Sequence, residues 1–486
     1  MNDFRKQTRH ITYGTAARLF GRVLGALISL VALREATRYF GPLQWGPITA
    51  ALAWVSVFSY LGSPGVALFT MREIAKPRVD AGPVFGRALA ATVAVSLAAG
   101  VAALALGVPT YWGRTETLTM VLILVPGIPL MALFLTGGSV LVGCGRSTSR
   151  AALDAVSSVF LLAATLVVVE GHLHSRGYAV AYLGSTVASG LVALALARRR
   201  VRPKLRGSVR ALAGTLRVSL PFGQFDLFAI VYARADSIML FLIRGNRPVA
   251  LYGVAYQIAN FLFAMPALLS NALLPDFMST NEERRRFLAR RALDAILTVA
   301  IPLPLFGALF ARPFVVWIAG SRYAGAALPL AILTGAGAIS LCNGYLVQMA
   351  IFAGAERGLW RVIGTVTIVN LAANVVAVFL WSANGAAGVM ILSEAMALAM
   401  YWRIYRAKMP NPLGHRYPLS VITASLGLLV IWWVLHAGLG LSPGDGIAML
   451  ARAVVLGLVY AALLSLITFG ARRLASRRDA ARARLG

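Results

Sequence analysis

Long apolar segments, separated by short polar stretches, run through this chain from one end to the other. A helix needs about 20 mostly apolar residues to cross the hydrocarbon core of a membrane. Fourteen segments meet that requirement, and we number them as spans 1 to 14. They lie roughly at residues 11–33, 46–70, 86–108, 117–142, 151–170, 177–197, 217–243, 248–275, 292–311, 326–352, 361–381, 385–403, 419–440 and 447–470. The pattern predicts an all-α, polytopic membrane protein of about fourteen transmembrane helices.

Basic residues are distributed unevenly between the two sets of loops. If the N-terminus lies in the cytoplasm, the segments on that side hold 33 of the 46 Lys and Arg, the outer loops hold seven and the spans hold six. Cytoplasmic loops of membrane proteins carry such an excess of positive charge. We therefore expect a multi-pass protein of the cytoplasmic (inner) membrane with both termini in the cytoplasm. The net charge of +29 comes mainly from these loops, so it does not indicate a nucleic-acid partner.

Three pairs of short motifs recur at nearly constant separation. Gly143-x-x-Arg146-x-x-x-Arg150 after span 4 has the same spacing as Gly354-x-x-Arg357-x-x-x-Arg361 after span 10, displaced by 211 residues; Trp45-Gly46 matches Tyr252-Gly253, and Gly177 matches Gly385. Spans 1–6 and 7–12 therefore look like two copies of one six-helix unit. Because six is even, both copies enter the membrane from the same side, which predicts two pseudo-symmetric lobes related by an axis along the membrane normal.

The repeat also predicts the domain organisation. We expect an N-terminal lobe at 1–197, a basic cytoplasmic connector at 198–216, a C-terminal lobe at 217–405, spans 13 and 14 within 406–470, and a basic cytoplasmic tail at 471–486. The outer loops are all short, which leaves no room for an extracytoplasmic enzyme domain.

Charged residues inside the spans are candidates for a substrate cavity, because a charge near the centre of a bilayer costs at least about 2.5–3.5 kcal/mol. Arg18 and Arg22 are four residues apart and share a face of span 1. In span 7, Asp226 and Arg234 lie about 80° apart round the helix, whereas Asp236 points nearly opposite to Arg234. We expect Arg18 and Arg22 to attract a diphosphate, and one of the two acids to pair with Arg234.

Some of these candidates have a structural alternative. Arg234 either lines a cavity, as a substrate or ion-pair group, or reaches the outer interface as an anchor. Asn370 and Asn374 lie four residues apart on one face of span 11. Their amides either contact sugar or form hydrogen bonds between helices.

Motifs for metal binding, cofactor binding or catalysis do not stand out. Cys144 and Cys342 are far apart in sequence, and the pair His172 and His174 has no other histidine nearby. A phosphate-binding glycine loop and a nucleophile with its base are not recognisable either. We expect no metal and no cofactor, and a transporter rather than an enzyme.

Four stretches of the sequence resemble one family of membrane transporters. They are Arg38-Tyr39-Phe40-Gly41-Pro42-Leu43-Gln44-Trp45-Gly46; Arg234-Ala235-Asp236 with Leu251-Tyr252-Gly253-Val254-Ala255-Tyr256; Leu274-Pro275; and Gly320-Ser321-Arg322-Tyr323-Ala324-Gly325-Ala326. In order and spacing, over about residues 11–405, they are similar to the polysaccharide transporters, or O-antigen flippases, of the multidrug/oligosaccharidyl-lipid/polysaccharide (MOP) exporter superfamily. One departure is Ser63-Pro64-Gly65, where many members carry an Asp before the Gly.

The resemblance implies a flippase in polysaccharide biosynthesis that translocates a polyprenyl-diphosphate-linked oligosaccharide by alternating access. Its partners would be that lipid-linked oligosaccharide, membrane lipids and glycan assembly proteins. A multidrug or cation antiporter of the same superfamily is one alternative, and a peptidoglycan-precursor flippase is another. A membrane glycan polymerase or ligase is the alternative from a different class.

Reporter tags test the topology. Tags placed after Gly486 and within the 198–216 connector are expected in the cytoplasm, and a tag at 312–325 is expected outside, because of the distribution of Lys and Arg. Protease accessibility in intact cells and in inverted vesicles gives the measurement. A connector tag that is cleaved from outside contradicts the predicted number of crossings.

Overall fold

All regular secondary structure in the described part of the chain is helical. The computed structural model describes residues 2–204, 209–277, 282–352, 355–406, 416–439 and 446–482. The helices are α1 (Asn2–Tyr39), α2 (Pro42–Leu61), α3 (Val66–Ile74), α4 (Ala81–Thr110), α5 (Thr115–Leu124), α6 (Gly127–Gly143), α7 (Ser147–Glu170), α8 (Ser175–Arg200), α9 (Val209–Arg244), α10 (Asn246–Phe277), α11 (Glu282–Ala300), α12 (Leu303–Ala319), α13 (Ala327–Phe352), α14 (Glu356–Arg406), α15 (Arg416–Leu439) and α16 (Ile447–Arg482), with a 3₁₀ helix at Ser321–Ala326. The predicted all-α class is confirmed.

Several predicted spans are bent or broken helices. α2 and α3 meet at 45° within span 2, and α5 and α6 meet at 44° within span 4. The first break contains Pro64, which lacks a backbone donor, and Gly65, whose φ of 68° suits a residue without a side chain. α14 is kinked at Ser382, between spans 11 and 12.

The structure gives fewer candidate membrane crossings than the sequence pattern predicts. By length and hydropathy, seven helices of the described part can cross a membrane, or nine if each bent pair counts as one span. The multi-pass membrane architecture is therefore clear, and the figure of fourteen stays a prediction.

Span 9 has other boundaries than the sequence pattern indicated. It was expected at 292–311, but two helices occupy this region, α11 and α12, and the second continues to Ala319. Pro302 precedes α12 and interrupts the helix, whereas Arg312 and Pro313 lie inside α12. The predicted span 292–311 lies inside the apolar stretch Phe287–Ala319, which is long enough to cross a membrane.

The chain forms two compact units. One contains Met1–Val254 with Trp360–Val389, and the other contains Ala255–Leu359 with Met390–Gly486. These units describe packing density, so the two repeated lobes stay a prediction. The second copy of the glycine–arginine motif begins at Gly354, which lies outside the described residues.

Small residues allow close packing of helices in the first unit. A side chain on Gly137 of α6 would meet the backbone of Ala193 in α8, and one on Gly190 of α8 would meet the backbone of Leu130 in α6. Between α1 and α7, the hydroxyls of Ser29 and Ser158 are 3.1 Å apart. Lipid tails are as apolar as the side chains of the helices, so burial of apolar surface does not drive the association of membrane helices. They associate instead through close packing and hydrogen bonds of this kind.

The first glycine–arginine motif is a structural helix exit. Gly145 has a φ of 73°, and the backbone N–H of Arg146 donates to the carbonyl of Leu141 at 2.8 Å, which closes the end of α6. Arg150 forms an ion pair with Asp154 at 3.0 Å. Its guanidinium also lies 4.9 Å from the centre of the Phe134 ring. The motif in this copy therefore serves packing and charge pairing.

The second unit packs spans 13 and 14 against α12. Phe310 of α12 shares a buried cluster with Leu428 of α15 and Leu456 of α16. The hydroxyl of Tyr460 in α16 donates to the carbonyl of Thr298 in α11 at 2.9 Å. α15 and α16 are thus fixed to the unit by both apolar and polar contacts.

The repeated Trp-Gly and Tyr-Gly motifs lie where α2 approaches α10. A side chain on Gly46 would overlap the backbone of Asn246, and one on Gly253 would lie 3.4 Å from the Cβ of Thr49. Glycine is needed at Gly46 because the obstacle is backbone, which cannot rotate away.

Substitution of Gly46 tests this contact. Gly46→Ala is expected to lower the melting temperature of the purified protein in detergent, because overpacking costs about 1–3 kcal/mol. Gly184→Ala is the matched control, since no atom lies within 4 Å of the added carbon and Ala in a helix gains about 0.5–1 kcal/mol. Equal melting temperatures for both variants would contradict the close approach.

Candidate functional site

A cavity lies among α2, α5, α6 and α8 of the first unit. Its empty volume, which includes the open solvent at its mouth, is about 440 Å³. Its apolar lining includes Leu52, Leu124 and Met131. Five hydroxyl-bearing side chains also line it: Ser56, Ser59, Tyr60, Tyr182 and Thr186. None of the described lining residues carries a formal charge.

The aliphatic hydroxyls of this cavity already use their protons. Ser56 donates to the carbonyl of Leu52 at 2.6 Å, and Ser59 donates to that of Val55 at 2.8 Å. Thr186 donates to the carbonyl of Tyr182 at 3.0 Å. Each oxygen keeps lone pairs. The cavity therefore offers hydrogen-bond acceptors from Ser and Thr within a mostly apolar wall.

Arg234 lies next to Tyr182 of this cavity. Its side chain, on α9, is half-buried. The guanidinium lies close enough to the phenol of Tyr182 for an electrostatic interaction, and Tyr182 interacts in turn with Tyr60. One cation thus stands beside a neutral, hydroxyl-lined space.

Asp236, two residues further along α9, is buried and held by hydrogen bonds. Its side chain is 2% exposed and accepts a hydrogen bond from the hydroxyl of Tyr252 on α10. It also accepts one from the backbone N–H of Ser237 at 2.6 Å. Arg234 contributes an electrostatic interaction from the same helix. Asp236 therefore links α9 to α10 and explains why the Arg-Ala-Asp and Tyr-Gly motifs occur together.

Asp226 and Arg22 are not among the described lining residues of the cavity. Asp226 is half-buried on α9 and makes no ion pair with the residues that the structure describes. Arg22 is exposed on α1. Arg18 lies on the same helix, but its side chain is outside the described residues. Substrate binding by these three residues stays a prediction.

Asn370 and Asn374 form a buried pair on α14. The amide of Asn374 donates to the side-chain oxygen of Asn370 at 3.0 Å, and the two side chains are 1% and 2% exposed, respectively. Thr367, on the same face, donates to the carbonyl of Phe228 in α9 at 3.3 Å. The amide pair thus belongs to the face of α14 that meets α9, the helix that carries Arg234.

Five acidic side chains of the N-terminal part have partners outside the cavity. Their partners are Arg34 for Glu35 at 2.9 Å, Lys76 for Glu73 at 2.5 Å, Lys204 for Asp80 at 2.8 Å, Arg150 for Asp154 at 3.0 Å and Ser175 for Glu116 at 2.6 Å. At the start of α4, the hydrogen bond from Lys204 lowers the pKa of Asp80 below its usual range. None of these carboxylates lines the cavity.

Sequence reasoning missed the two tyrosines and the hydroxyl lining. A signal was present, because Ser56, Ser59 and Tyr60 place polar groups within four or fewer residues of each other inside an apolar span. Tyr182 and Thr186 do the same at a separation of one helical turn. A search for charged residues inside apolar spans does not detect these hydroxyl-bearing residues.

A comparison of the sequence with models of protein families identifies the family of this chain. The model of the family described as "Polysaccharide biosynthesis protein" matches residues 11–280, which is more than half of the chain. The chain belongs to this family. The resemblance inferred from the motifs is thereby confirmed. A search of curated proteins finds no match.

Solved structures of membrane transporters share the fold. One described as "Lipid II flippase MurJ, inward closed conformation" has a TM-score of 0.75 at 12% identity and covers 96% of this chain and 100% of that chain. An inward-facing multidrug resistance MATE family transporter of the MOP superfamily has a TM-score of 0.61 at 16% identity, with 85% and 99% covered. A MOP superfamily transporter from Pyrococcus furiosus has a TM-score of 0.58 at 14% identity, with 86% and 96% covered. At these identities the likeness shows the fold alone.

The bond between Asp236 and Tyr252 can be measured by a double-mutant cycle. Tyr252→Phe and Asp236→Asn are each expected to lower the free energy of unfolding of this protein. The double variant should lose less stability than the sum of the two single losses. The expected coupling is about 1–3 kcal/mol, the range for buried and charge-assisted hydrogen bonds. Unfolding in mixed micelles with increasing SDS provides the measurement. Additive effects would show that the two side chains do not interact.

Proposed function

We propose that this protein is a flippase that carries a polyprenyl-diphosphate-linked oligosaccharide from the cytoplasmic to the outer leaflet of the cell membrane. Family membership supports a role in polysaccharide biosynthesis. The shared fold with a structure described as a lipid II flippase supports movement of a lipid-linked cargo. That the cargo carries an oligosaccharide repeat unit goes beyond the shared fold and rests on family membership.

The observation that carries the proposal is Arg234 beside the hydroxyl-lined cavity. A lipid-linked oligosaccharide joins an anionic diphosphate to neutral sugars. A guanidinium forms paired hydrogen bonds with phosphate oxygens, and these are strong where water is excluded. The serine and threonine oxygens of the cavity have lone pairs that can accept hydrogen bonds from sugar hydroxyls. One cation and several neutral acceptors thus match the two parts of the cargo.

Alternating access supplies the mechanism. The head group enters from the cytoplasmic side while the polyprenyl tail stays in the bilayer, so only the polar part of the cargo has to be shielded from lipid. The two predicted lobes, 1–197 and 217–405, then change their relative positions and release the head group outside. The movement forms and breaks no covalent bond. Glycan assembly proteins would supply and remove the cargo.

A multidrug antiporter is the competing transporter function. Such a protein would need acidic groups in its cavity to bind cationic drugs or coupling ions. The described cavity has none, and the N-terminal carboxylates listed above are engaged by basic residues or by Ser175. The polarity of the site therefore favours an anionic cargo over a cationic one.

A peptidoglycan-precursor flippase is the second candidate, and one observation favours it. Of the structures compared above, the lipid II flippase gives the largest overlap, with a TM-score of 0.75. Its cargo class would share the diphosphate and differ in the sugars and peptide. Delivery assays with both cargo classes separate the two functions.

Substitution of Arg234 tests the proposed function. If its charge holds the diphosphate, Arg234→Lys should keep partial transport, whereas Arg234→Ala and Arg234→Gln should lower transport at least about tenfold, which corresponds to about 1.4 kcal/mol of lost binding. Protein abundance in the membrane should stay normal. Arg176→Ala, at an exposed arginine in a predicted outer loop, is the control and should transport normally. Outer-leaflet delivery of the lipid-linked glycan is measured together with abundance.

Other outcomes have distinct meanings. Unimpaired delivery by Arg234→Ala removes this residue from the site. A fall in abundance that Asp226→Asn or Asp236→Asn restores would assign Arg234 to structural charge pairing instead.

A further inference from the structure

The C-terminal end of α9 is held by an arginine from a distant loop. Arg114, between α4 and α5, donates from Nη1 to the carbonyl of Phe241 and from Nη2 to that of Leu242, both at 2.8 Å. Its guanidinium lies 4.7 Å from the centre of the Phe241 ring. The last carbonyls of a helix lack partners within the helix and carry its negative dipole end. Arg114 therefore satisfies the end of α9 by charge as well as by hydrogen bonds.

Three further contacts surround this end of α9. The side-chain amide of Asn246, at the start of α10, donates to the carbonyl of Leu43 at 3.2 Å. Gly46 of α2 lies directly against the backbone of Asn246, and Gly253 lies against Thr49. All of these contacts join α2 or the α4–α5 loop to the last turn of α9 or to the start of α10, up to Gly253. By the predicted topology, this is the outer side of the membrane.

From these contacts we infer that the end of α9 forms the outer gate of the transporter, with Arg114 as its latch. The inference rests on the proposed function, in which 1–197 and 217–405 move relative to each other. Arg114, Leu43 and Thr49 belong to the first of these segments, whereas Phe241, Asn246 and Gly253 belong to the second. An outward-open state requires these contacts to separate.

The chemistry of the latch suits repeated opening. Its acceptors are neutral carbonyls rather than a carboxylate, so separation breaks no ion pair. Arg114 is half-buried, so its guanidinium can exchange the two carbonyls for water. Arg114 is a positioning residue, and it need not touch the cargo.

α9 also contacts the first segment within its N-terminal half. A side chain on Gly223 would meet the backbone of Pro64 and Gly65, at the break between α2 and α3. In the present arrangement, glycine contacts thus join the first segment to the start of α10 at Gly46 and to the N-terminal half of α9 at Gly223. Alternating access then requires the contact at Gly46 and the contact at Gly223 to open in turn.

A disulfide across the outer contact tests the gate. In a chain with Cys144→Ser and Cys342→Ser, Thr49→Cys with Gly253→Cys places two Cβ atoms about 3.4 Å apart, near the range of a disulfide. Oxidation should lower outer-leaflet delivery of lipid-linked glycan at least tenfold, and reduction should restore it. The control is Thr92→Cys with Thr136→Cys, whose hydroxyls are 2.9 Å apart between α4 and α6. That pair lies within the first segment, so its disulfide should leave delivery unchanged.

A labelling experiment tests the latch itself. In the same cysteine-free chain, Ser56→Cys marks the cavity, and a membrane-impermeant thiol reagent is added outside. Arg114→Ala should raise the labelling rate at least threefold, and Arg114→Lys should raise it less. Arg176→Ala, a change at an exposed arginine in another predicted outer loop, should have no effect.

The two readouts separate the gate from the cargo. Labelling reports access rather than transport, so a faster rate in Arg114→Ala supports the gate even if no lipid-linked glycan is delivered by the unmodified chain. That second result would overturn the proposed function alone. Equal labelling in Arg114→Ala and Arg176→Ala, or full delivery by the oxidised Thr49→Cys, Gly253→Cys protein, would overturn the gate.

Discussion

Backbone pairing in an apolar solvent is the constraint on which this structure depends. Lipid offers no partner to an N–H or C=O group, so each place where a helix stops inside a membrane protein needs a local substitute. At the end of α2, Gly62 donates back to Phe58 and Ser63 donates back to Tyr60. At the end of α9, the guanidinium of Arg114 takes this role. Polar residues within apolar segments mark these places.

The fold was largely predictable because hydropathy accumulates over about 20 residues and tolerates errors at single positions. The interruptions were not. Pro64 and Pro126 hardly change the mean hydropathy of their segments, yet each accompanies a bend of a span. The end of α12 was hard to predict for the converse reason, because Arg312 has the charge of a loop residue and yet lies inside the helix.

The site was predictable only in part. Arg234 stood out because a charge in an apolar span demands an explanation, and it does lie beside a cavity residue, Tyr182. The cavity itself brings together side chains from α2 and α8, and no spacing within one helix reveals that meeting. Asp236 and Tyr252 were noticed as a motif, but only the fold shows that a hydrogen bond joins them.

The approach of α2 to α10 through Gly46 and Gly253 also has an entropic consequence. Most helix contacts freeze side-chain rotations when they form, and long side chains lose up to about 2 kcal/mol each in this way. Glycine has no rotamer to lose, so the two backbones can meet and part with little change in side-chain disorder. The cost of ordering then falls chiefly on flexible partners such as Arg114. A glycine contact of this kind between α2 and α10 favours rapid separation and re-formation over a strongly stabilised closed state.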